Sequence, residues 1–302
     1  MPSLSEFVSF IVEKSGVKDV SLIESDITLH RMLKGFCSSP VFNKYLFKGG
    51  SCLTKCYFGY YRFSVDLDFT WREQEVWASL GEKELRRTLL AEIRIFASFL
   101  KTVSEELGLR FEAELENRNF IEFGGGGRMV TFKLWKNSEL VKIQVNFIEK
   151  LLFPLKKVTV KTLLDKAKLS RDEKAYFKEF LDFYKPLQIM AYDEREILCE
   201  KVRAILTRRA QKLRDFYDLF MLSKHGYKIG DLAKETVEKV RASLYYRKYR
   251  NNLERNRKGL EMEERFLEDP FERRLLIEIP QSDFEGFLKV VGEKLKEIAN
   301  NV

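Results

Sequence analysis

"FKGGSCLTKCYFGYYRFSVDLDFT" occupies Phe47 to Thr70 of a 302-residue chain. "VFNKYLF", which leads into it, is rich in β-formers and reads as a strand that Gly49 and Gly50 stop. "SCLTKCYFG" reads as a short helix and "RFSVDLDFTW" as a second strand. Side chains two apart on a strand share a face, so Asp66 and Asp68 meet there as like charges. A divalent cation relieves that repulsion, because hard metals take oxygen ligands, and magnesium is usually shared with substrate phosphates. Upstream, Gly49 and Gly50 allow close backbone approach to a ligand. Ser51 opens a helix whose N–H groups and dipole attract phosphate. One end of the stretch suits a triphosphate and the other its metal. Asp-x-Asp and Gly-Gly-Ser are each common alone; their order, spacing and the interposed "RFS" carry the reading.

Working outward, the chain is basic, with 54 Lys and Arg against 46 Asp and Glu, a formal charge of +8 and a pI near 9.1. Such a surface favours polyanions: nucleic acid, nucleotides or an acidic partner. Apolar residues make up 45% of the chain, enough for a real core, and the length suggests two domains. No apolar run approaches the roughly 18 residues of a membrane span. The first twenty residues carry acids within their apolar part and no basic leader, so a cytoplasmic protein is expected. Cys52 and Cys56 form a single close pair, and with only His30 and His225 they fall short of a zinc site. Buried, reduced thiols are expected for the four cysteines.

Residues 4–37 read as short helices. From Glu82 to Leu107, apolar residues at steps of three and four give an amphipathic helix. "LRFEAELENRNFIEF", "RMVTFKLWK" and "ELVKIQVNFIE" read as strands, the first two joined by four glycines at 124–127. No helix follows those glycines, so they read as a hairpin tip rather than a phosphate loop. After Pro154 the chain reads as mostly helical. The expected layout is α/β: a catalytic domain over 1–155, with N-terminal helices, and a helical domain over 156–302.

"KGGSCLTKCYFGYYRFSVDLDF" resembles the first motif of the AbiEii/AbiGii toxin nucleotidyltransferases, the family of the MenT toxins. The matching residues are Gly49, Gly50, Ser51, Arg62, Ser64, Asp66 and Asp68. "EKVRAILTRRAQKLRDFYDLFML" resembles the later motifs through Lys201, Arg214, Asp215, Asp218 and Leu219. The resemblance implies a DNA-polymerase-β-like nucleotidyltransferase domain, a mixed sheet with helices, plus a C-terminal helical domain that contributes to the active site. It implies transfer of a nucleotide from an NTP to an acceptor hydroxyl, favoured as the tRNA 3′ end, with Mg2+ or Mn2+. It implies a separate antitoxin as partner and no membrane. In this reading Asp66 and Asp68 hold the metal, and Gly49, Gly50 and Ser51 seat the phosphates. Lys201 neutralises the leaving phosphates, and Asp215 is the candidate general base.

Family members often carry a third carboxylate where "VKIQVNF" here has Gln144; two carboxylates suffice, or Glu149 substitutes, or activity is impaired. A degenerate, non-catalytic RNA- or partner-binding protein therefore stands as one alternative. A transferase acting on a protein or small molecule is another, and a metal-dependent glycosyltransferase reading leaves the Gly-Gly-Ser turn unexplained. "RASLYYRKYRNNLERNRK" at 241–258 mixes cations with Tyr245, Tyr246 and Tyr249 and suits RNA, or pairs with the acidic "EMEERFLEDPFE" after it. On one unbroken helix Lys201 and Asp215 would lie about 21 Å apart at 1.5 Å per residue. The polar "TRRAQK" suggests a break between Thr207 and Arg214, with Asp215 as N-cap of the next helix, returning towards Asp66 and Asp68.

Overall fold

The structure, a computed structural model, describes residues 2–258, 268–277 and 281–302. It divides into two compact units, Met1–Glu149 with Lys157–Ala191, and Lys150–Lys156 with Tyr192–Val302. The first is built on helices α1 (Leu4–Ser15) and α2 (Val20–Cys37), then strand β1 (Tyr45–Lys48) and the short helix α3 (Gly49–Cys52). A π-helical turn, Leu53–Phe58, leads to β2 (Asp66–Trp71), α4 (Glu75–Ala78) and α5 (Glu82–Glu106). Strands β3 (Ile121–Gly124), β4 (Met129–Lys136), β5 (Glu139–Asn146) and β6 (Lys156–Val160) follow, then α6 (Arg171–Tyr176), α7 (Lys178–Phe183) and β7 (Leu187–Ala191).

Among the described residues seven strands form one mixed sheet in the order β3-β4-β5-β2-β1-β7-β6. β3, β4 and β5 run as an antiparallel meander, β2 lies parallel to β5 and antiparallel to β1, and β1 is parallel to β7. Strand alternation gives the sheet two unlike faces. Leu67 and Phe69 on β2, Phe132 and Leu134 on β4, and Ile143 and Val145 on β5 are buried on one face. Helices α2 and α5 pack with the sheet, and the i, i+3/i+4 spacing of Leu89, Ile93, Phe96, Leu100 and Val103 supplies the buried stripe of α5. The other face carries Asp66, Asp68 and Gln144.

Four readings of the sequence change here. Of "VFNKYLF" only "YLF" is strand, because Pro40–Lys44 winds into a 3-10 helix with Pro at its first turn. β2 starts only at Asp66, so "RFSV" is not strand. Of "LRFEAELENRNFIEF" only Ile121–Gly124 is strand, because turns at 115–120 interrupt it; Asn119 N–H donates to Asn117 Oδ1 at 3.1 Å. Two strands interrupt the mostly helical stretch after Pro154: β6 and β7 return to the sheet, and 157–191 belongs with the first unit. Both strands are short, and two of the five residues of "KKVTV" are lysines, so periodicity gives them little signal. The glycines at 124–127 do close the β3–β4 hairpin, with φ of +56°, +63° and +86° at Gly125, Gly126 and Gly127.

The second unit is helical: α8 (Glu194–Thr207), α9 (Leu213–Lys224), α10 (Ala233–Ser243), α11 (Arg247–Lys258), α12 (Pro270–Arg274) and α13 (Gln281–Asn301). Among the described residues no helix is long and apolar enough to cross a membrane.

Candidate active site

In the first unit, the opening stretch folds as a strand, a glycine turn, a helix and a second strand. Lys48 pairs across the ladder with Asp68, and Gly49 follows with φ +75°. A Cβ at Gly49 would run into the Asp68 carboxylate, its Cγ only 3.0 Å away. Glycine is therefore required twice, for the left-handed backbone and for the close approach. Ser51 is fully buried, and its Oγ has no hydrogen-bond partner among the described residues. Asp66 and Asp68 are partly exposed on the polar face. Parallel pairing sets Lys142 beside Asp66 and Gln144 beside Asp68.

A metal-bound nucleotide fits this arrangement. A buried hydroxyl left without a partner costs free energy unless a ligand or water satisfies it, and Ser51 sits one residue after the glycines. The donors on the strand face are hard oxygens. Among the described residues no cluster of three or more His, Cys, Asp or Glu side chains is placed to hold a metal. A cation here would take two carboxylates and complete its shell from substrate phosphate and water, as magnesium does. Gln144 occupies the register position of a third ligand; its Nε2 donates to Thr131 Oγ1 at 3.2 Å, so its carbonyl oxygen is what it has to offer. Glu149 accepts from Asn146 Nδ2 at 2.9 Å and lies 3.8 Å from Lys48 Nζ. As a substitute third acid it is already engaged.

The turn between the two motifs is anchored from below. Lys55 Nζ lies 2.6 Å from Asp26 Oδ1 on α2. Tyr184 OH donates to Asp26 Oδ2 at 2.6 Å, and Tyr60 OH donates to the same carboxylate at 3.0 Å. Burial above all, then the Asp26 charge, pushes both phenols far above their usual range. π-helical turns are rare and frequently lie at functional sites, and here a buried lysine holds one. Arg62 is also buried and donates to the Phe63 carbonyl at 2.7 Å, bracing the chain before β2.

In the second unit the helix breaks where the sequence suggested. α8 ends at Thr207, Arg208 is extended (φ −92°, ψ 155°), and α9 starts at Leu213. Asn256 of α11 stabilises the break: its Nδ2 donates to the carbonyls of Ile205, Leu206 and Arg208 at 3.2, 2.9 and 2.8 Å. These include carbonyls that a helix end leaves unpaired. The turn brings Asp215 onto Lys201, whose Nζ donates to Asp215 Oδ1 at 2.7 Å and lies 2.5 Å from Asp218 Oδ2. Arg208 also pairs with Asp215. Asp215 is not the N-cap; that position is Lys212, and Asp215 sits in the first turn of α9. There it complements the helix dipole. Burial disfavours its charge, but Lys201 first and then Arg208 overcome this and hold the carboxyl far below the usual range.

The sequence reading missed Lys48, Lys55 and Asp26. A lysine directly before Gly-Gly was a signal for the first; the Asp26–Lys55 pair joins residues 29 apart with no local signature. The basic segment is more committed than it looked. Arg250 donates to the Leu244 carbonyl at 2.6 Å, Arg255 to the Arg209 carbonyl, and Arg257 to the Ala299 carbonyl at 2.8 Å. Its pairing with "EMEERFLEDPFE" lies largely outside the described residues. The cysteines are free, with Cys52, Cys56 and Cys199 buried and Cys37, against expectation, exposed.

A mixed sheet with two aspartates on its polar face, a glycine-opened helix next to their strand and a helical C-terminal part defines the class of nucleotidyltransferase folds. The chain matches the family described as "Nucleotidyl transferase AbiEii toxin, Type IV TA system" over residues 31–299. The match spans nearly its whole length, and the chain belongs to that family, the toxin side of a toxin–antitoxin system. No individual curated protein is similar enough to add to this.

Proposed function

We propose that this protein transfers a nucleotide from an NTP to an acceptor hydroxyl, with the tRNA 3′ end the favoured acceptor. The carrying observation is the buried, unpartnered Ser51 Oγ, two residues after a glycine that packs on Asp68. Gly49 and Gly50 let the β- and γ-phosphates approach the backbone, and Ser51 donates to one of their oxygens. A divalent cation held by Asp66 and Asp68 would supply neutralisation of the phosphate charge. The acceptor oxygen attacks the α-phosphorus in line, the bond to the β-phosphate oxygen breaks, and pyrophosphate leaves. Lys201, which the family resemblance assigns to the leaving phosphates, is held in place by Asp215 and Asp218. A carboxylate as acidic as Asp215 is a weak base, so we assign it to positioning Lys201 rather than to proton abstraction; the acceptor proton leaves to water. A separate antitoxin is the expected partner, and the cytoplasm, which holds NTP and tRNA, the expected compartment.

The test incubates the protein with total RNA, magnesium and each α-labelled NTP in turn. Label should enter tRNA-sized RNA from at least one NTP. Absence of label from every NTP, or transfer from UDP-sugars instead, overturns the reading. Gln144 favours a second reading, a non-catalytic RNA- or partner-binding protein, and any metal-dependent labelling eliminates it.

A further inference from the structure

The strand that carries the aspartates has two unlike neighbours. On one side lies β1 with the Gly-Gly-Ser turn; on the other lies β5, then β4 and β3. Register pairing extends the polar face across that second flank. Asp68 stands beside Gln144, Gln144 beside Thr131 and Thr131 beside Glu122; in the next row Asp66 stands beside Lys142 and Lys142 beside Lys133. Cross-strand partners share a face, so one surface runs from the aspartates outwards. A cavity of about 500 Å³ opens on it, lined among others by Arg118, Thr131, Lys133, Trp135, Lys142 and Gln144. That volume lies within the roughly 300–1,000 Å³ of ligand sites. Adjacent strands are about 4.8 Å apart, so the cavity begins one strand from the aspartate pair.

The lining has a definite chemistry. Three cations, Arg118, Lys133 and Lys142, surround a single carboxylate, Glu122. Lys133 holds that carboxylate below its usual range at 2.8 Å, with Lys142 and Arg118 adding to the effect. The excess of positive charge calls for a polyanion. Trp135 offers a partly exposed ring, Asn119 an amide that both donates and accepts, and Gln144 a carbonyl that accepts. Cations with a ring and amides match single-stranded nucleic acid, where phosphates need charge and bases need stacking and paired polar edges. An acidic peptide would use the cations alone.

We propose that this cavity on β3, β4 and β5 receives the single-stranded end of the RNA acceptor, with Arg118, Lys133 and Lys142 on its phosphates and Trp135 against a base. The proposal rests on the nucleotidyl-transfer reading and deepens it: the triphosphate lies on the β1 flank of the aspartates and the acceptor on the β5 flank.

The experiment measures affinity for a fluorescent single-stranded oligoribonucleotide of about ten nucleotides across a salt series, without NTP. The double variant Arg118→Gln, Lys133→Gln should bind it at least about tenfold more weakly, and its log–log salt slope should flatten by about 1.4, or 0.7 for each lost phosphate contact. Binding of labelled NTP with magnesium and the melting temperature should match wild type. The control Arg247→Gln, Lys248→Gln, which alters cations of α11, should leave RNA affinity within about twofold, as surface changes outside an interface do. Unchanged affinity and slope in the cavity variant overturn the proposal, even if wild type labels RNA from NTP. So does displacement of the RNA from wild type by poly-glutamate but not by unlabelled RNA. If wild type binds RNA through the cavity yet transfers no label, the cavity stands and the transfer reading falls.

Discussion

Asp66 and Asp68 on β2, and Asp215 and Asp218 on α9, are both pairs of acids on one face of their element, but the fold treats them in opposite ways. The β2 pair remains partly exposed, beside a glycine that leaves it room and a serine hydroxyl without a partner. The α9 pair is buried, at 3% and 0% exposure, and meets Lys201 directly. The second pair is sealed against a lysine inside the fold; the first stays within reach of solvent and of a ligand at the glycine turn. Spacing alone cannot separate a site from a buttress. What separates them is whether the carboxylates remain accessible from outside.

The contrast breaks most visibly at Lys201. In Lys201→Ala, Asp218 and part of Asp215 lose their counter-ion while still buried, which should cost about 3–5 kcal/mol of stability. Lys212→Ala, one residue before α9, should change it by less than about 0.5 kcal/mol. Urea unfolding of the two variants measures the difference, and equal losses would mean that general basicity, not this lysine, matters.

The first unit has its own buried charge, the Asp26–Lys55 pair, and His30 beside it sets an acid limit. His30 is fully buried, with Nε2 2.8 Å from the Lys185 carbonyl. Burial chiefly, and the nearby Lys55, hold its pKa down at about 4 against the usual 6.5, with Asp26 opposing. The unfolded chain takes up a proton near pH 6.5 that the folded chain refuses until about 4. Stability should therefore fall as pH drops through that window, by roughly 3 kcal/mol, and stay flat above it. His30→Leu should flatten the decline, measured by urea midpoints across the window.

Asn256→Ala tests the break that makes the α9 pair a buttress. It unpairs carbonyls at the end of α8 and should cost about 1–3 kcal/mol, seen in thermal unfolding. A neutral result would mean that water serves those carbonyls equally well.

Much of the first site was legible because its signals are local. Glycine at a strand end, alternation through Asp66 and Asp68, and the long stripe of α5 are short-range patterns. The helix break was legible in "TRRAQK", whose polar residues cannot continue a buried stripe. What stayed hidden depends on distant partners. β6 and β7 are defined by the strands they join, not by their few residues. Asp26 looks like any helix acid until Lys55 and Tyr184 close on it. The arginines of α11 look like a nucleic-acid surface because sequence does not reveal which carbonyls they reach. Asp215 looked like a cap and a base because its two cations come from α8 and the loop beyond it.

The most direct test of the account replaces the partly exposed pair on β2. Asp66→Asn and Asp68→Asn keep shape and remove charge, so transfer of label from α-labelled NTP should fall more than about a hundredfold, roughly 3 kcal/mol of barrier. The melting temperature should stay close to that of wild type, because asparagine keeps the shape of aspartate and both positions are partly exposed. Wild-type turnover in both variants, or a collapse of stability like that of Lys201→Ala, would contradict the claim that Asp66 and Asp68 serve the reaction rather than the fold.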